Sequence, residues 1–376
     1  MSSIIATKSS IPLFKKDQTD DSIKFQPLPQ PTGSYPYHLR IEHIIPEVNS
    51  QKLIFHMVGD TGSILNPDFQ KFVAERMISQ YEAESKVEDQ PQFLYHLGDI
   101  VYNFGEAGNY PAQFFGPYHK YPAPIFSIPG NHDSDVNPES LSPYNSLDSF
   151  KAVFCDYESR NISFNGSTRR LSMVQPNIYW TLQTPLANII GLYSNVPKYG
   201  IITTEQRAWF IEELKTANKD RSQKAFIVCL HHSPYSADTN HGSSLPMIAF
   251  LESSFAETGI RPDIVFSGHV HNYQRFEKHY SDGHIVPFVV AGGGGYDELH
   301  PLALTDDERY SGDYSAFEGV HLRNYCDTHH GFLKIILEKK NEGLTLTGEY
   351  YSVPWNSELP ADEVTSPIDV FTLTID

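Results

Sequence analysis

Cysteine is scarce in this chain of 376 residues, which contains only Cys155, Cys229 and Cys326. The odd number and the absence of paired spacing exclude a disulfide framework and favour a reducing compartment. The N-terminus lacks a positively charged start followed by a sustained apolar stretch, so we expect no secretory signal. A cytoplasmic location is therefore favoured, with a secreted or periplasmic mature form as the alternative.

Two further absences limit the partners of the chain. No apolar run approaches the roughly 20 residues that a membrane-spanning helix needs. The formal net charge is −18 and there is no basic stripe, which argues against binding a nucleic-acid polymer. A small phosphorylated substrate is compatible with this charge, because cations bound in a cleft dominate the local field. No feature of the sequence indicates an oligomeric state.

Five short runs rich in Ile, Val and Phe predict buried strands, because Gly, Pro or polar residues flank each run. They are Lys52–Val58, Gln92–Leu97, Pro124–Ile128, Lys224–Leu230 and Asp263–Ser267. A side chain of a type that binds metals follows the end of each run. Open α/β sheets gather their ligands at the carboxyl ends of their strands. We therefore expect these five points, though distant in sequence, to meet in one cleft.

The side chains at these five points are a mixture of oxygen and nitrogen donors. The segments are Gly59-Asp60-Thr61-Gly62, Gly98-Asp99-Ile100-Val101-Tyr102, Gly130-Asn131-His132-Asp133, Val228-Cys229-Leu230-His231-His232 and Gly268-His269-Val270-His271. Hard oxygen donors come first and imidazoles last, a set that suits two ions better than one structural zinc. Each residue taken alone has a simpler explanation, such as a turn or a packing aromatic. The order of these residues along the chain, and the position of each after a predicted strand, together predict a metal site.

These segments resemble the motifs of the calcineurin-like metallophosphoesterases, and most closely those of the purple acid phosphatase branch. The first motif of that superfamily is usually Asp-x-His, whereas this chain has Asp60-Thr61-Gly62, and glycine has no side chain that binds a metal. Asp-x-Gly followed by Gly-Asp-x-x-Tyr, which here ends at Tyr102, is the purple acid phosphatase variant. The resemblance extends from about Leu53 to Gly295.

The resemblance implies a set of ligands for two metal ions. Asp60, Tyr102 and His271 would bind the first ion, Asn131, His232 and His269 the second, and Asp99 would bridge the two. A tyrosinate is a hard and strongly donating anion, so we expect Fe(III) at the Tyr102 site. The oxygen and nitrogen donors of the second site suit Fe(II), Zn(II) or Mn(II).

The adjacent histidines of the fourth motif leave an alternative. Only one of them can face the ion if the alternation of the strand continues. Counting from the end of the strand favours His231, whereas the His-x-Pro pattern of the family matches His232-Ser233-Pro234. We favour His232, because the proline fixes the register of the turn.

The resemblance also places residues where they would act on the substrate. His132, which follows Asn131, would supply a proton or positive charge at the reacting phosphate, with Asp133 orienting its ring. His241 lies on the loop after the fourth motif, where members of the family keep a substrate-facing histidine. The remaining histidines, His300 among them, are expected to have no part in the site.

The fold that the resemblance implies is α/β, a four-layer α/β/β/α sandwich of two mixed β-sheets flanked by helices. Residues 1–50 would form an irregular N-terminal extension, and residues 51–376 a single metallophosphoesterase catalytic domain. The implied activity is hydrolysis of phosphate monoesters, as in acid phosphatases, with a dinuclear metal centre that delivers a hydroxide to phosphorus. The alternatives are a phosphodiesterase acting on cyclic nucleotides or nucleotide-type diesters, and a catalytically inactive metal-binding protein.

Local signals predict two helices and a strand pair. Pro67 is placed to begin one helix, since proline suits the first helical position. Thr203 and Gln206 have capping-box spacing at the start of another. Asn177–Leu182 and Asn188–Tyr193 are predicted to be paired strands.

Overall fold

The computed structural model describes residues 7–340, 343–354 and 366–375. The strands in these residues are β1 (Phe14–Lys15), β2 (His38–Arg40), β3 (Lys52–Val58), β4 (Leu94–His96), β5 (Ile125–Ser127), β6 (Trp180–Gln183), β7 (Ala187–Gly191), β8 (Ala225–Leu230), β9 (Ile264–Ser267), β10 (Tyr273–His279), β11 (Ile285–Ala291), β12 (Tyr310–Ser311), β13 (Val320–Cys326), β14 (His330–Lys340), β15 (Gly343–Val353) and β16 (Asp369–Ile375). The α-helices are α1 (Pro67–Ala83), α2 (Asn131–Ser134), α3 (Asp148–Phe154), α4 (Thr204–Lys219) and α5 (Leu245–Thr258).

Two mixed sheets form the centre of the molecule. One has eight strands in the order β13-β10-β11-β9-β8-β7-β6-β2, and the other has six in the order β16-β15-β14-β3-β4-β5. Helix α1 contacts β14 and β15 of the six-stranded sheet. Helix α4 lies against the other sheet, where Glu213 accepts a hydrogen bond from Thr181 of β6. The predicted α/β fold with two mixed sheets and flanking helices is confirmed.

The strands that lead to the predicted site are buried on both faces, as parallel strands inside an α/β fold are. Strand β3 has the predicted bounds, and every residue in it after Lys52 is buried. The polar exception, His56, bonds Tyr121 and Gln80, and burial lowers its pKa to about 3. The other four predicted strands form with slightly shorter bounds.

The two predicted helix starts both occur. Helix α1 begins at Pro67 after Asn66, where the missing N–H of proline costs no helical hydrogen bond. At the start of α4, the Thr203 hydroxyl accepts from the Gln206 N–H at 3.2 Å. The Gln206 side chain instead bonds the backbone of Tyr193, so only half of the capping box forms.

The segment before residue 50 contains more regular structure than the prediction gave it. Strand β2 pairs in parallel with β6 and extends the eight-stranded sheet. Tyr37, Leu39 and Ile41 are buried in the main core, whereas Arg40 is exposed. This alternation is the pattern of an edge strand with one covered face.

Residues 8–33 form a segment, here named the N-terminal strap, that crosses two loops at the carboxyl ends of β7 and β8. Leu13 donates to Ser236 O at 2.8 Å and accepts from Ser243 N at 2.6 Å. Both oxygens of Asp21 lie 3.1 Å from the Lys198 N–H. The strap therefore fastens these two loops to one another.

The three cysteines are buried and unpaired. No helix within the described residues has the length and apolarity that a membrane span requires.

Candidate dinuclear metal centre

The predicted donor side chains lie on the loops that leave the carboxyl ends of β3, β4, β5, β8 and β9. Parallel pairing aligns β3 with β4 and β5 in one sheet, and β8 with β9 in the other. The two sheets meet at this edge, where the His269 N–H lies 3.0 and 2.9 Å from the two oxygens of Asp60. Segments from both sheets thus converge on one cleft.

Backbone and side chains are packed closely at this edge. A Cβ atom at Gly268 would lie 2.5 Å from Oδ2 of Asp60, and one at Gly130 would lie 2.1 Å from Oδ1 of Asp99. Asp60, Asp99 and His269 have φ angles of +57°, +53° and +68°. Residues other than glycine keep this conformation only where their surroundings hold them in it, and such residues cluster at functional sites.

Three buried side chains form what we name the first donor group: Asp60, Tyr102 and His271. The Tyr102 hydroxyl lies 3.3 Å from Oδ1 of Asp60 and 3.3 Å from Nε2 of His271. The same His271 nitrogen is 3.6 Å from Oδ1 of Asp60. Ligands that bind one ion at about 2.0–2.2 Å lie roughly 3 Å from each other, so this spacing suits a cation.

The second donor group consists of Asp99, Asn131, His231 and His269. Nε2 of His231 lies 3.2 Å from Oδ2 of Asp99 and 3.1 Å from Oδ1 of Asn131. Nδ1 of His269 lies 3.0 Å from the same Asn131 oxygen. The donor atoms of Asp99, His231 and His269 all lie within 4.8 Å of one another.

Asp99, a member of the second group, also lies next to the first group. Besides its contact with His231, its carboxylate is the second cause, after burial, that raises the pKa of Tyr102 in the first group. His231 also approaches the first group, with Nε2 4.0 Å from Oδ1 of Asp60. The groups are therefore adjacent, and Asp99 is placed to serve both.

The preference for His232 over His231 as a ligand needs correction. Nδ1 of His232 lies 2.7 Å from the Ser194 hydroxyl, its Nε2 has no hydrogen-bond partner, and it belongs to neither donor group. His231 is the first residue after β8, and its Nδ1 lies 2.9 Å from Leu97 O. This contact turns Nε2 of His231 toward Asp99. The count from the strand end therefore agrees with this placement, whereas the proline pattern points to the neighbouring residue.

Charges at this buried site compensate each other. Burial lowers the pKa of His231, but Asp99 and Asp60 outweigh it and raise the pKa to about 9. Burial raises the pKa of Asp60 well above its ordinary value, whereas for Asp99 the combined effects of His231 and His132 outweigh burial and lower the pKa. An imidazolium thus neutralises part of the carboxylate charge, a task that bound cations would take over.

His132 stands at the mouth of the cleft, partly exposed. Its Nδ1 lies 2.7 Å from Asn103 O, and its backbone N–H donates to Oδ1 of Asp99 at 2.8 Å. Its ring centroid is 4.4 Å from that of Tyr102. The carbonyl of Asn103 therefore fixes the ring and leaves Nε2 for other partners.

Asp133 does not contact the His132 ring, which corrects the orienting role predicted for it. Its carboxylate instead accepts hydrogen bonds from the N–H groups of Ile100 at 3.0 Å, Val101 at 3.2 Å and Gly130 at 2.9 Å. Burial, followed by the charge of Asp99, raises the pKa of Asp133 to about 7. Asp133 thus holds the second motif against the third.

His241 lies beside the second donor group. Its ring centroid is 4.0 Å from that of His269, and its Nδ1 is buried without a hydrogen-bond partner. The backbone N–H of His241 donates to Oδ2 of Asp238 at 2.9 Å, which fixes the loop. An imidazole nitrogen is therefore available next to the ligands.

Two residues near the first donor group were missing from the sequence prediction. His300 stacks on His271 with ring centroids 4.1 Å apart and an interplanar angle of 21°, and its Nδ1 accepts from the His271 N–H at 3.2 Å. Tyr296 lies with its centroid 4.3 Å from those of both Tyr102 and His271. The sequence feature that indicates these two residues is the run of glycines before them, at positions 292–295. The run brings the backbone close to the site, since a Cβ atom at Gly292 would lie 2.7 Å from Oδ2 of Asp60.

The donor set fits two cations chemically. The first group combines a carboxylate, a phenol and an imidazole, which suits a hard ion such as Fe(III). The second combines an amide oxygen, two imidazoles and a carboxylate, which suits a divalent ion. Within each group, every donor atom lies 3.0–3.6 Å from another donor of that group.

Comparison with known proteins identifies relatives of this chain. Residues 54–273 match the family model of the calcineurin-like phosphoesterases. Purple acid phosphatase 1 of Ipomoea batatas is 25% identical over 287 residues, which cover 70% of this chain and 54% of that protein. The Fe(3+)-Zn(2+) purple acid phosphatase 12 of Arabidopsis thaliana is 26% identical over 330 residues, which cover 80% of this chain and 59% of that protein. The chain spans little more than half the length of these relatives.

Among solved structures, GAP50, described as the anchor in the inner membrane complex of Plasmodium, has a similar fold. It aligns with a TM-score of 0.55 at 14% sequence identity and covers 87% of this chain and 90% of that chain. At this identity the likeness concerns the fold alone.

Proposed function

Because this chain belongs to the calcineurin-like phosphoesterase family, we propose that it hydrolyses phosphate monoesters at the two donor groups. The observation that supports this most is the convergence of seven donor side chains from five strand-end loops on one buried edge. The purple acid phosphatases among the relatives, and the pairing of Asp60-Thr61-Gly62 with Tyr102, favour the monoesterase over other members of the family.

In this proposal the first donor group would hold Fe(III). Asn131, His231 and His269 would hold the second ion, Fe(II), Zn(II) or Mn(II), and Asp99 would contribute to both sites. When bound, such a pair lowers the pKa of a water molecule and neutralises the oxygens of the phosphate. Six of the seven donor side chains are buried, all except Asn131, and this strengthens the field at the reacting atoms, because water screens it less.

His132 is proposed to give a proton to the leaving oxygen. Its Nδ1–H donates to Asn103 O, which directs the opposite nitrogen away from the backbone. Within the described residues, no protein group bonds Nε2 of His132, so that nitrogen is free to carry the proton. Proton transfer from a positioned imidazole contributes about 10²- to 10⁴-fold to rates of this kind.

His241 is proposed to bind a phosphate oxygen. Its buried Nδ1 lacks a partner, and a buried polar atom without one is costly unless a ligand satisfies it. The hydrogen bond from its backbone to Asp238 keeps the ring beside His269. Asp133 contributes indirectly, through the loop geometry of the second and third motifs.

Elemental analysis, the visible spectrum and paired assays test the proposal together. The purified protein should contain two metal ions per chain, be coloured, and cleave an aryl phosphate monoester faster than the matching diester. Faster cleavage of the diester would favour the phosphodiesterase alternative. Two bound ions without either activity would favour the metal-binding protein, and a chain that binds no ions would overturn the proposal.

A further inference from the structure

We propose that Lys198 binds a second anionic group of the substrate, a carboxylate or a further phosphate, next to the ester that is cleaved. This inference rests on the proposed function, because it names the substrate class of the same site. Lys198 lies on the loop between β7 and α4, and its side chain is half-buried.

The backbone of Lys198 is fixed beside the second donor group. Its carbonyl oxygen lies 3.0 Å from Nε2 of His269, whose Nδ1 lies 3.0 Å from Oδ1 of Asn131. Its N–H donates to the carboxylate of Asp21 on the N-terminal strap. One imidazole ring therefore separates the backbone of Lys198 from the donor atoms.

The Lys198 ammonium lies at the loop that carries His241. Its Nζ is 3.5 Å from the carbonyl oxygen of Asn240, the residue before His241. Among the described residues, no carboxylate oxygen lies within 4.0 Å of this Nζ. The contact with Asn240 is a long hydrogen bond to a neutral acceptor, so Lys198 makes no ion pair, although the charges of Asp238 and Asp21 act to raise its pKa.

The carboxylate on the same loop, Asp238, is already occupied. It accepts from the backbone N–H groups of Asn240 at 2.8 Å, His241 at 2.9 Å and Gly242 at 2.8 Å. It also lies 3.6 Å from Nδ1 of His300. These contacts occupy Asp238, which forms no ion pair with Lys198, although its charge still acts to raise the pKa of Lys198.

A second lysine strengthens the positive charge at this corner. Phe14 of β1 packs against Tyr314 and Phe317, so Lys15, the next residue of the strand, projects from the opposite face. The backbone of Lys15 lies against the loop that carries His241, since a Cβ atom at Gly242 would be 3.2 Å from the Lys15 nitrogen. In agreement with this, burial, followed by the charge of Lys15, lowers the pKa of Lys198, with Asp238 and Asp21 acting in the opposite direction.

Lys15 also makes no ion pair with any described carboxylate. In a chain with a formal net charge of −18, two lysines without an ion pair beside an anion site attract an anionic ligand. A substrate with only one phosphate leaves Lys198 without a partner, whereas a second anion would give it a charge-assisted hydrogen bond. Loss of such a bond corresponds to about a tenfold change in binding.

Two phosphate esters, one phosphate anhydride and four proteins test the inference. The probes are phenyl phosphate, 4-carboxyphenyl phosphate and inorganic pyrophosphate, and the proteins are the unaltered chain, Lys198→Met, Lys198→Arg and Lys215→Met. Lys215 is an exposed lysine of α4 that pairs with Glu212, so its replacement is matched in charge but lies outside the site.

In Lys198→Met, kcat/KM for the two probes that carry a second anionic group should fall about tenfold more than kcat/KM for phenyl phosphate. Lys198→Arg should keep most of the preference in kcat/KM for probes with a second anionic group, and Lys215→Met should keep all of it. The larger loss, whether with the carboxylate or with pyrophosphate, identifies the second anion. Metal content is measured for each variant, and Lys198→Gln replaces Lys198→Met if the methionine variant loses metal.

The two proposals fail in different ways. If Lys198→Met lowers kcat/KM equally for all three probes, or lowers it for none, the role of Lys198 is overturned. The proposed phosphatase activity would remain supported. If the unaltered, metal-loaded chain cleaves none of the three, the proposed function fails, and the inference fails with it.

Discussion

His231 and His232 are adjacent in the chain, yet their imidazoles bond different groups. Nε2 of His231 lies 3.2 Å from Oδ2 of Asp99, whereas Nδ1 of His232 lies 2.7 Å from the hydroxyl of Ser194. One ring therefore belongs to the donor groups, and the other packs behind His269, with centroids 4.3 Å apart.

Replacing these two histidines separately should have different effects on metal content. His231→Ala removes a donor atom, so we expect it to lose about one ion per chain. His232→Ala removes a packing contact and the hydrogen bond to Ser194 but no donor atom, and it should keep both ions. Elemental analysis of the two variants, prepared side by side, measures the difference. The opposite result would return the ligand role to His232.

Tyr102→Phe should remove the visible absorption of the protein. The phenyl ring keeps its packing, but the hydroxyl between Asp60 and His271 is lost, and with it any charge transfer from a phenolate to Fe(III). Tyr296→Phe is the matched control, because Tyr296 lies over the same group without being a donor, and its spectrum should stay unchanged. An unaltered band in Tyr102→Phe would exclude iron bound by this phenolate.

The metal-free protein should lose stability between about pH 6.5 and pH 9. The pKa of His231 rises from 6.5 to about 9 on folding, because Asp99 and Asp60 outweigh burial. The stabilisation by protonated His231 is therefore complete below the pKa of the unfolded state and is lost as the pH rises through the pKa of the folded state. The change in the free energy of unfolding is on the order of 3 kcal/mol.

Urea unfolding of chelator-treated protein at a series of pH values measures this effect. His231→Gln cannot take up the proton, so its stability should change much less over the same range. Parallel curves for the two proteins would show that His231 does not carry the charge.

Local sequence patterns are sufficient to predict the strands that end in the site. Lys52–Val58 is almost wholly apolar because both faces of β3 are buried, and its bounds agree with the structure. Even β2 has a signal, since Tyr37, Leu39 and Ile41 alternate with more exposed residues. That signal lies next to a proline-rich stretch, which obscured it.

Side-chain directions in the loops depend on contacts that no local pattern contains. The choice of His231 is fixed by Leu97 O, which is 134 positions away in the sequence. The stacking of His300 on His271 likewise joins separate loops. Neither relationship follows from periodicity, because both arise only once the two sheets have met.

His132→Ala should reduce turnover by about 10²- to 10⁴-fold while both ions remain bound. The loss should be largest for esters with poor leaving groups, since these need the proton most. Rates for a series of aryl phosphates of different leaving-group pKa, with metal content measured in parallel, test this. Equal losses of metal and activity would contradict a role in proton transfer.

His300→Ala should weaken the affinity of the first ion by about 10- to 100-fold, the usual effect of removing a group that orients a metal-binding histidine. His300 stacks on His271 and accepts its backbone N–H, so the alanine variant frees that ring. Competition with a chelator measures the affinity. His300→Gln keeps an acceptor and should restore part of the affinity, and unchanged affinity in both variants would make His300 a packing residue only.

The pairing of β3 with β14 affects when the site can form during synthesis. Strand β3 delivers Asp60, the first donor to leave the ribosome, yet one of its two neighbouring strands is translated after His271, the last donor. A growing polypeptide therefore carries every ligand before it has the strand that holds the earliest one in position. We expect selection between competing ions to occur late, in the nearly finished molecule rather than in the nascent one.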